Sequence, residues 1–271
     1  MKKQIQQRLE SLDVLRGFDL FCLVALGKIV HKLSEATQAP VFDSILPCFN
    51  HVHWEGFSSW DLVMPLFMFM SGITIPFALS RYKESSDKSL VYKRIAKRVI
   101  LLWIFGMMCQ GNLLALDPNR IYLYSNTLHA IAMGYLISAL FFLHTKIRTQ
   151  IIGAIILLLG YWMMMEFIVI GNYGSGNYSP DGNLAEWIDR VVLGRFRDGA
   201  SLVNGEVVFS EGYRYTWILS SLTFGVTAMS GTFAGYILKY KEWMPQKKLT
   251  YLFIIGASMV AMGWIWGIWH P

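Results

Sequence analysis

From Phe49 to Asp61 the chain reads Phe49-Asn50-His51-Val52-His53-Trp54-Glu55-Gly56-Phe57-Ser58-Ser59-Trp60-Asp61, its densest run of groups that could do chemistry. An imidazole titrates near neutrality and can take a proton or attack a carbonyl, and a carboxylate beside it decides which ring nitrogen is free. Indole faces offer flat surfaces on which sugar rings stack. The same stretch also reads as ordinary loop histidines between two interfacial anchors, Trp54 and Trp60. Asp61 stands just before the apolar Leu62 to Gly72, where a carboxylate caps a helix and complements its dipole or finds a partner. Orienting His51 is compatible with both roles. Zinc fits poorly: His51 and His53 with Glu55 or Asp61 would need further ligands from a neighbouring element, and the sequence offers no second cluster besides an isolated His129 in the fourth span. We therefore expect no metal.

A second, mostly basic cluster comprises Arg8, Asp13, Arg16 and Asp19, then Lys93, Arg94, Lys97 and Arg98. Arg94 and Arg98 are four apart and share a helical face. Such residues anchor a protein to anionic headgroups, or their guanidinium groups hold the phosphates of a cofactor. His129 and Glu166 lie within apolar runs, where an ionisable group marks a functional site by default. His129 is expected about two turns below the outer surface, given a rise of about 1.5 Å per residue, lining the same cavity as His51. Glu166 also reads as a side chain reaching the outer interface.

The elements that must carry these residues are membrane helices. Of 271 residues 54% are hydrophobic and 15% charged, where a soluble domain carries about 25% charged. Apolar runs of about 20 residues recur near 14–33, 60–80, 97–116, 123–143, 150–170, 216–238 and 249–269, predicting an all-α polytopic membrane protein of about seven transmembrane helices in one domain over 1–271. Lys and Arg outnumber Asp and Glu 24 to 18, but the basic residues punctuate apolar runs instead of forming a patch, which excludes nucleic acid as a partner. They gather in alternate loops: Lys2, Lys3 and Arg8; Arg81 through Arg98; Lys146 and Arg148; Lys239, Lys241, Lys247 and Lys248. Retention of Lys and Arg inside puts the N-terminus in the cytoplasm and the C-terminus outside. The His51 cluster and the longest loop, about 171–214, then lie outside, with Trp187 and Ile188 on a short helix at the membrane face. Gly231-x-x-x-Gly235 and Gly263-x-x-x-Gly267 read as close helix contacts. Cys22, Cys48 and Cys109 are too few for a disulfide scaffold. Asp13, Arg16 and Asp19 interrupt the first apolar stretch, so it is no cleavable signal.

The run Arg8-x-x-Ser11-Leu12-Asp13-x-x-Arg16-Gly17, followed by His51-x-x-Trp54-x-Gly56-x-x-x-x-Asp61-Leu62-Val63-x-Pro65-x-Phe67-x-Phe69-x-x-Gly72, resembles the heparan-alpha-glucosaminide N-acetyltransferase family of transmembrane acyltransferases, particularly its bacterial members. Leu128-His129-Ala130-Ile131-Ala132-x-Gly134-Tyr135 is similar to that family's Leu-Gln-Arg-Ile-Ala segment, and Asn183-Leu184-x-x-x-Ile188-Asp189-Arg190 to its large external loop. The resemblance implies transfer of an acetyl group from cytosolic acetyl-CoA to an amino sugar on the far side of a bacterial inner membrane. It implies His51, three residues before the motif tryptophan, as the catalytic histidine, carrying the acetyl group or acting as base. The reading of the residues themselves adds Asp61 as its orienting partner, His53, Trp54, Glu55 and His129 as acceptor contacts, and Arg16, Arg94 and Arg98 as holders of acetyl-CoA; His53 and Glu55 are this sequence's own choices and not the family's. His129 and Ala130 replace the family's Gln-Arg pair, which leaves the acceptor open. An O-acetyltransferase of envelope polysaccharide shares the Leu-Asp-x-x-Arg-Gly start. A small-solute transporter also buries ionisable groups, but no inverted repeat is visible and Pro65 and Pro76 share one helix. The chain stops at Trp269-His270-Pro271, where the family continues into about three more helices. The expectation is a truncated chain, inactive alone and either unstable or a homo-oligomer.

Overall fold

The computed structural model describes residues 10–37, 39–52, 54–213 and 215–270. Arg8, His53 and Arg214 lie outside the described residues. Helical backbone runs without a break from Glu10 to Thr37, as α1 (Glu10–Phe21), a π-helical turn (Cys22–Leu26) and α2 (Gly27–Thr37). Pro40 opens the short α3 (Pro40–Ile45), where a missing N–H costs nothing. A 3₁₀ turn (Leu46–Phe49) then delivers the chain to the irregular His51 loop.

Regular structure resumes at a 3₁₀ turn (Ser59–Leu62) that runs into α4 (Val63–Ile73) and α5 (Ile75–Lys83). Pro76, in the first turn of α5, cannot donate to the ladder and accounts for the break at Thr74. Next come α6 (Ser89–Cys109), α7 (Thr127–His144), α8 (Ile147–Phe167) and, after the long loop with its short α9 (Leu184–Leu193), α10 (Ser221–Lys239) and α11 (Pro245–Trp266). Among the described residues four stretches are long and apolar enough to cross a bilayer: Ser59–Lys83, α7, α8 and α11. The remaining three of the seven expected spans coincide with helices of a different character. α6 has the length but carries Lys93, Arg94, Lys97 and Arg98 in its first half, α10 is rich in Gly, Ser and Thr, and the first run holds Asp13, Arg16 and Asp19.

α10 is the centre of the bundle, packed on α4, α5, α7 and α8. Small residues let it approach. A Cβ at Gly72 would collide with the carbonyl of Ala228, and one at Gly231 with that of Phe69, so α4 and α10 touch backbone to backbone. A Cβ at Gly235 would lie 2.6 Å from the Ile73 carbonyl. The Gly231/Gly235 pair is thus a packing face, whereas Gly263 has nothing within 4 Å. Buried hydroxyls close the seam: Ser138 and Thr232 are 2.8 Å apart, and Thr232 donates to Gly72 O. Ile152, Ile156, Phe253, Val260 and Trp264 point outward from α8 and α11, an apolar exterior that suits lipid.

The long loop adds two hairpins to the otherwise helical chain. β1 (Val169–Ile170) pairs with β2 (Tyr173–Gly174), and β3 (Ala200–Val203) with β4 (Glu206–Phe209) through an Asn204-Gly205 turn whose residues both have positive φ. Between them α9 is capped by Asn183, which accepts from Glu186 N. Trp187 and Ile188 turn inward against Met165, Leu184 and Leu219; the exposed apolar residues of α9 are Val191 and Val192.

The bundle has two ends of unlike chemistry. One gathers the His51 loop, the segment before α7 and the long loop, joined by Leu123 N to Phe196 O and Trp54 to Tyr178. The other gathers lysines that donate to neighbouring helices: Lys88 to Leu143 O, Lys239 to Pro76 O and Lys83 to the Tyr236 hydroxyl. These lysines come from the basic loops that alternate along the sequence.

Candidate functional site

Ser58 caps the 3₁₀ turn that precedes α4: its hydroxyl accepts from Trp60 N at 3.2 Å, while Asp61 Oδ2 accepts from Ser58 N at 2.9 Å. The cap holds the Asp61 carboxylate still, and its other oxygen, Oδ1, lies 2.6 Å from His51 Nδ1. The Nδ1–H donates to it, so the second ring nitrogen, Nε2, keeps its lone pair. His51 is about half exposed, and Asp61 less so, with side-chain exposures of 53% and 27%. Capping and orientation are therefore done by one carboxylate, each by its own oxygen. Gly56, at φ +122°, permits the turn between the histidine and the cap.

Trp54 Nε1 donates to the Tyr178 carbonyl in the long loop at 2.9 Å. Glu55 is exposed on the same loop as Trp54. Trp60 packs its indole against Gly27 of α2 and beside Phe49, at 5.8 Å between ring centres.

His129 is placed elsewhere. It is fully buried in the first turn of α7; its Nδ1 accepts from Ser125 N at 3.2 Å and its Nε2–H donates to Trp103 O at 3.0 Å. Its ring lies among Trp103 and Tyr124, at 4.6 and 5.7 Å. Beside it Asn126 caps α7 by accepting from Leu128 N and donates to Gly106 O. Both nitrogens are satisfied inside the bundle, and none of these partners belongs to the His51 loop.

At the lysine-rich end, Arg94, Lys97 and Arg98 line an open groove of about 360 Å³ with Leu101, Leu102 and Phe105. The Arg98 guanidinium stacks 4.0 Å from the centre of the Tyr135 ring and that of Arg94 lies 5.5 Å from Tyr82. Arg16 interacts electrostatically with Arg98 and with Asp13. The three arginines read as a cluster in the sequence are thus neighbours, with an apolar wall next to the charge.

Sequence reasoning missed how the long loop is locked. Glu186, fully buried, holds Arg190 at 2.6 Å on one oxygen and the fully buried Arg197 on the other. Asp189 accepts from Trp217 N at 2.7 Å and Ile218 N at 2.9 Å, tying α9 to the entry of α10. Burial pushes the Asp189 carboxyl up to about 6, against the pull of those two backbone donors. Burial also raises Tyr178, to about 12, helped by the Glu166 carboxylate that accepts its hydroxyl proton at 2.8 Å. The charged alternation Glu186, Asp189, Arg190, Arg197 and Asp198 was the available signal, and it reads equally well as a solvated surface. Among the described residues no three His, Cys, Asp or Glu side chains converge as a metal site.

A sequence model of the family described as "Heparan-alpha-glucosaminide N-acetyltransferase, catalytic" matches residues 8–175, which include the His51–Asp61 pair, His129 and all three arginines. The chain belongs to this family. Human heparan-alpha-glucosaminide N-acetyltransferase is 25% identical to it over 283 aligned positions, covering 86% of this chain and 39% of the human protein. The chain therefore spans well under half the length of that relative.

Proposed function

We propose that this protein is a transmembrane acetyltransferase that takes an acetyl group from acetyl-CoA on the cytoplasmic side and passes it to the amine of an amino sugar, or another glycan, on the outer side of a bacterial inner membrane. The observation that carries this reading is the 2.6 Å bond from His51 Nδ1 to Asp61, which leaves Nε2 as an unencumbered base or nucleophile at the mouth of an apolar helix. Two chemistries use that nitrogen. As a base, Nε2 takes a proton from the acceptor amine while the amine attacks the thioester carbonyl; the C–S bond breaks and the CoA thiolate leaves, taking that proton in turn. As a nucleophile, it attacks the carbonyl itself, the thiolate of CoA leaves, and the amine then displaces imidazole from acetyl-His51. Asp61 stabilises the charged imidazole that the first route makes and holds the ring for the second. Trp54, Glu55 and His53 are placed by sequence on the same loop and are proposed to receive the sugar; His129, sealed in the bundle, is proposed to support them only through packing.

The basic groove supports the donor half. Arg16, Arg94 and Arg98 supply fixed positive charge for phosphates, and Leu101, Leu102 and Phe105 supply an apolar strip for a pantetheine chain. The Lys and Arg gathered at this end support its being the cytoplasmic one. Binding of acetyl-CoA by the detergent-solubilised protein tests the reading: saturable binding is expected, and a protein that carries a solute without recognising acetyl-CoA contradicts it.

A further inference from the structure

Glu166 is an ionisable group of the apolar spans that the proposed reaction leaves without a task. It sits in the last turn of α8 and accepts the Tyr178 hydroxyl at 2.8 Å, with His270 Nδ1 4.0 Å from the same oxygen. The backbone next to it is tied to the same helix end, because Gly176 N donates to Met165 O and Ser175 N to Ile168 O. Those carbonyls have no partner within α8, so residues 174–178 close the helix and are immobilised by it. Gly176 suits this turn through its backbone: its φ is +71°, a conformation that L side chains rarely adopt.

The Tyr178 carbonyl, held in this way, is what Trp54 Nε1 donates to. Residues 50–52 and 54–58 have no regular structure. Their other hydrogen bonds stay within the segment from Pro47 to Asp61. Among the described residues, therefore, one hydrogen bond fastens the loop that bears His51 to a rigid body outside its own segment. Asp61 fixes the angle of the imidazole, but it cannot fix where the loop stands relative to the rest of the outer end.

We infer that Glu166 and Tyr178 form a latch that, through the Tyr178 carbonyl and Trp54, holds the His51 loop in its working position. Glu166, Tyr178 and Trp54 are positioning residues here, and the inference rests on His51 as the reacting group. An unlatched loop keeps its imidazole correctly oriented but spends less time in register with donor and acceptor. The effect belongs to turnover and not to recognition of acetyl-CoA, whose proposed groove is at the opposite end.

Three variants test it in the full chain: Trp54→Phe, which keeps the ring and removes the donor; Tyr178→Phe, which removes the hydroxyl; and Glu166→Leu, which removes the acceptor. Each is expected to lower kcat about five- to tenfold with KM for acetyl-CoA unchanged, a loss of the size one hydrogen bond supplies. Glu166→Gln, which still offers a carbonyl oxygen to Tyr178, should recover most of what Glu166→Leu loses, and the double variant Tyr178→Phe/Glu166→Leu should fall no further than either single one. A readout free of turnover is amide exchange and diethyl pyrocarbonate labelling, resolved by peptide. Peptide 50–62 should exchange faster and His51 should label faster in all three variants, with α10 unchanged. Unaltered exchange and labelling at 50–62 would overturn the latch even if His51→Ala abolishes transfer. Full transfer by His51→Ala would instead overturn the reading beneath it, and the labelling data would still show whether the loop is latched.

Discussion

Replacing Asp61 by Asn changes one atom and takes away the charge that orients His51. The carboxylate now accepts two hydrogen bonds, 2.6 Å from His51 Nδ1 and 2.9 Å from Ser58 N, and an amide cannot do both. With its oxygen on Ser58 N, the amide presents N–H to Nδ1, which selects the tautomer protonated at Nε2 and abolishes its lone pair. With its oxygen on Nδ1, the cap is lost and an N–H faces Ser58 N. A hydrogen bond to a charged group is worth about 1.5–3 kcal/mol, and each 1.36 kcal/mol is a decade, so kcat should fall about 10- to 100-fold. Steady-state transfer at neutral pH by purified protein reads this, with KM for acetyl-CoA within about twofold of wild type, since this is a loss felt only in the reaction. Ser58→Ala supplies the control, because it removes the hydroxyl that accepts from Trp60 N and leaves the imidazole bond alone. It should cost about 1 kcal/mol of stability, as lost caps do, and little turnover. Full activity in Asp61→Asn, or an equal loss in Ser58→Ala, would refute the orienting role and leave Asp61 a cap.

The paired change Arg94→Gln with Arg98→Gln should raise KM for acetyl-CoA at least tenfold without altering kcat; unchanged affinity in a binding assay would make these arginines lipid anchors. His129→Phe should destabilise the protein by about 2–4 kcal/mol, because it orphans the Ser125 N–H and the Trp103 carbonyl in a dry bundle, and a thermal melt in detergent that moves by less than a degree would contradict the packing role. The Asp189 carboxyl titrates at about 6 when folded against 3.8 unfolded, so its folded form holds the proton more tightly. Stability from this group is complete below about pH 4 and is lost as the pH rises through 6, and Asp189→Asn should flatten that slope in melts taken across the window.

Those sites were legible to different degrees, for physical reasons. His51 and Asp61 could be paired from sequence because a capping carboxylate is fixed by local backbone, ten residues from the histidine, with no tertiary contact needed. Membrane character was equally plain, since repeated apolar runs of helical length suit a bilayer and little else. Seven equal spans were less so: α6 leaves Lys93, Arg94 and Lys97 of its first half exposed and buries only Val91 and Ile95 there, and α10 owes its central place to the Gly72 and Gly231 contacts, which depend on a partner that hydropathy does not see. His129 looked like a cavity residue because burial depth is readable and partners are not; Trp103 O and Ser125 N become its ligands only when α6 and α7 pack. The Glu186–Arg197 pair and the Trp54–Tyr178 bond span 11 and 124 positions, and the second lies beyond any local pattern.

Passage of acetyl across the membrane through His51 is measured most directly in sealed vesicles. With acetyl-CoA supplied only at the lysine-rich face and glucosamine only at the face bearing His51, acetylated amine should appear in the second compartment for the wild-type sequence assayed in a form that also supplies the further helices expected of the family. None should appear for His51→Ala, which should still bind acetyl-CoA. Transfer by His51→Ala at a rate near wild type would show that this imidazole does not carry the reaction.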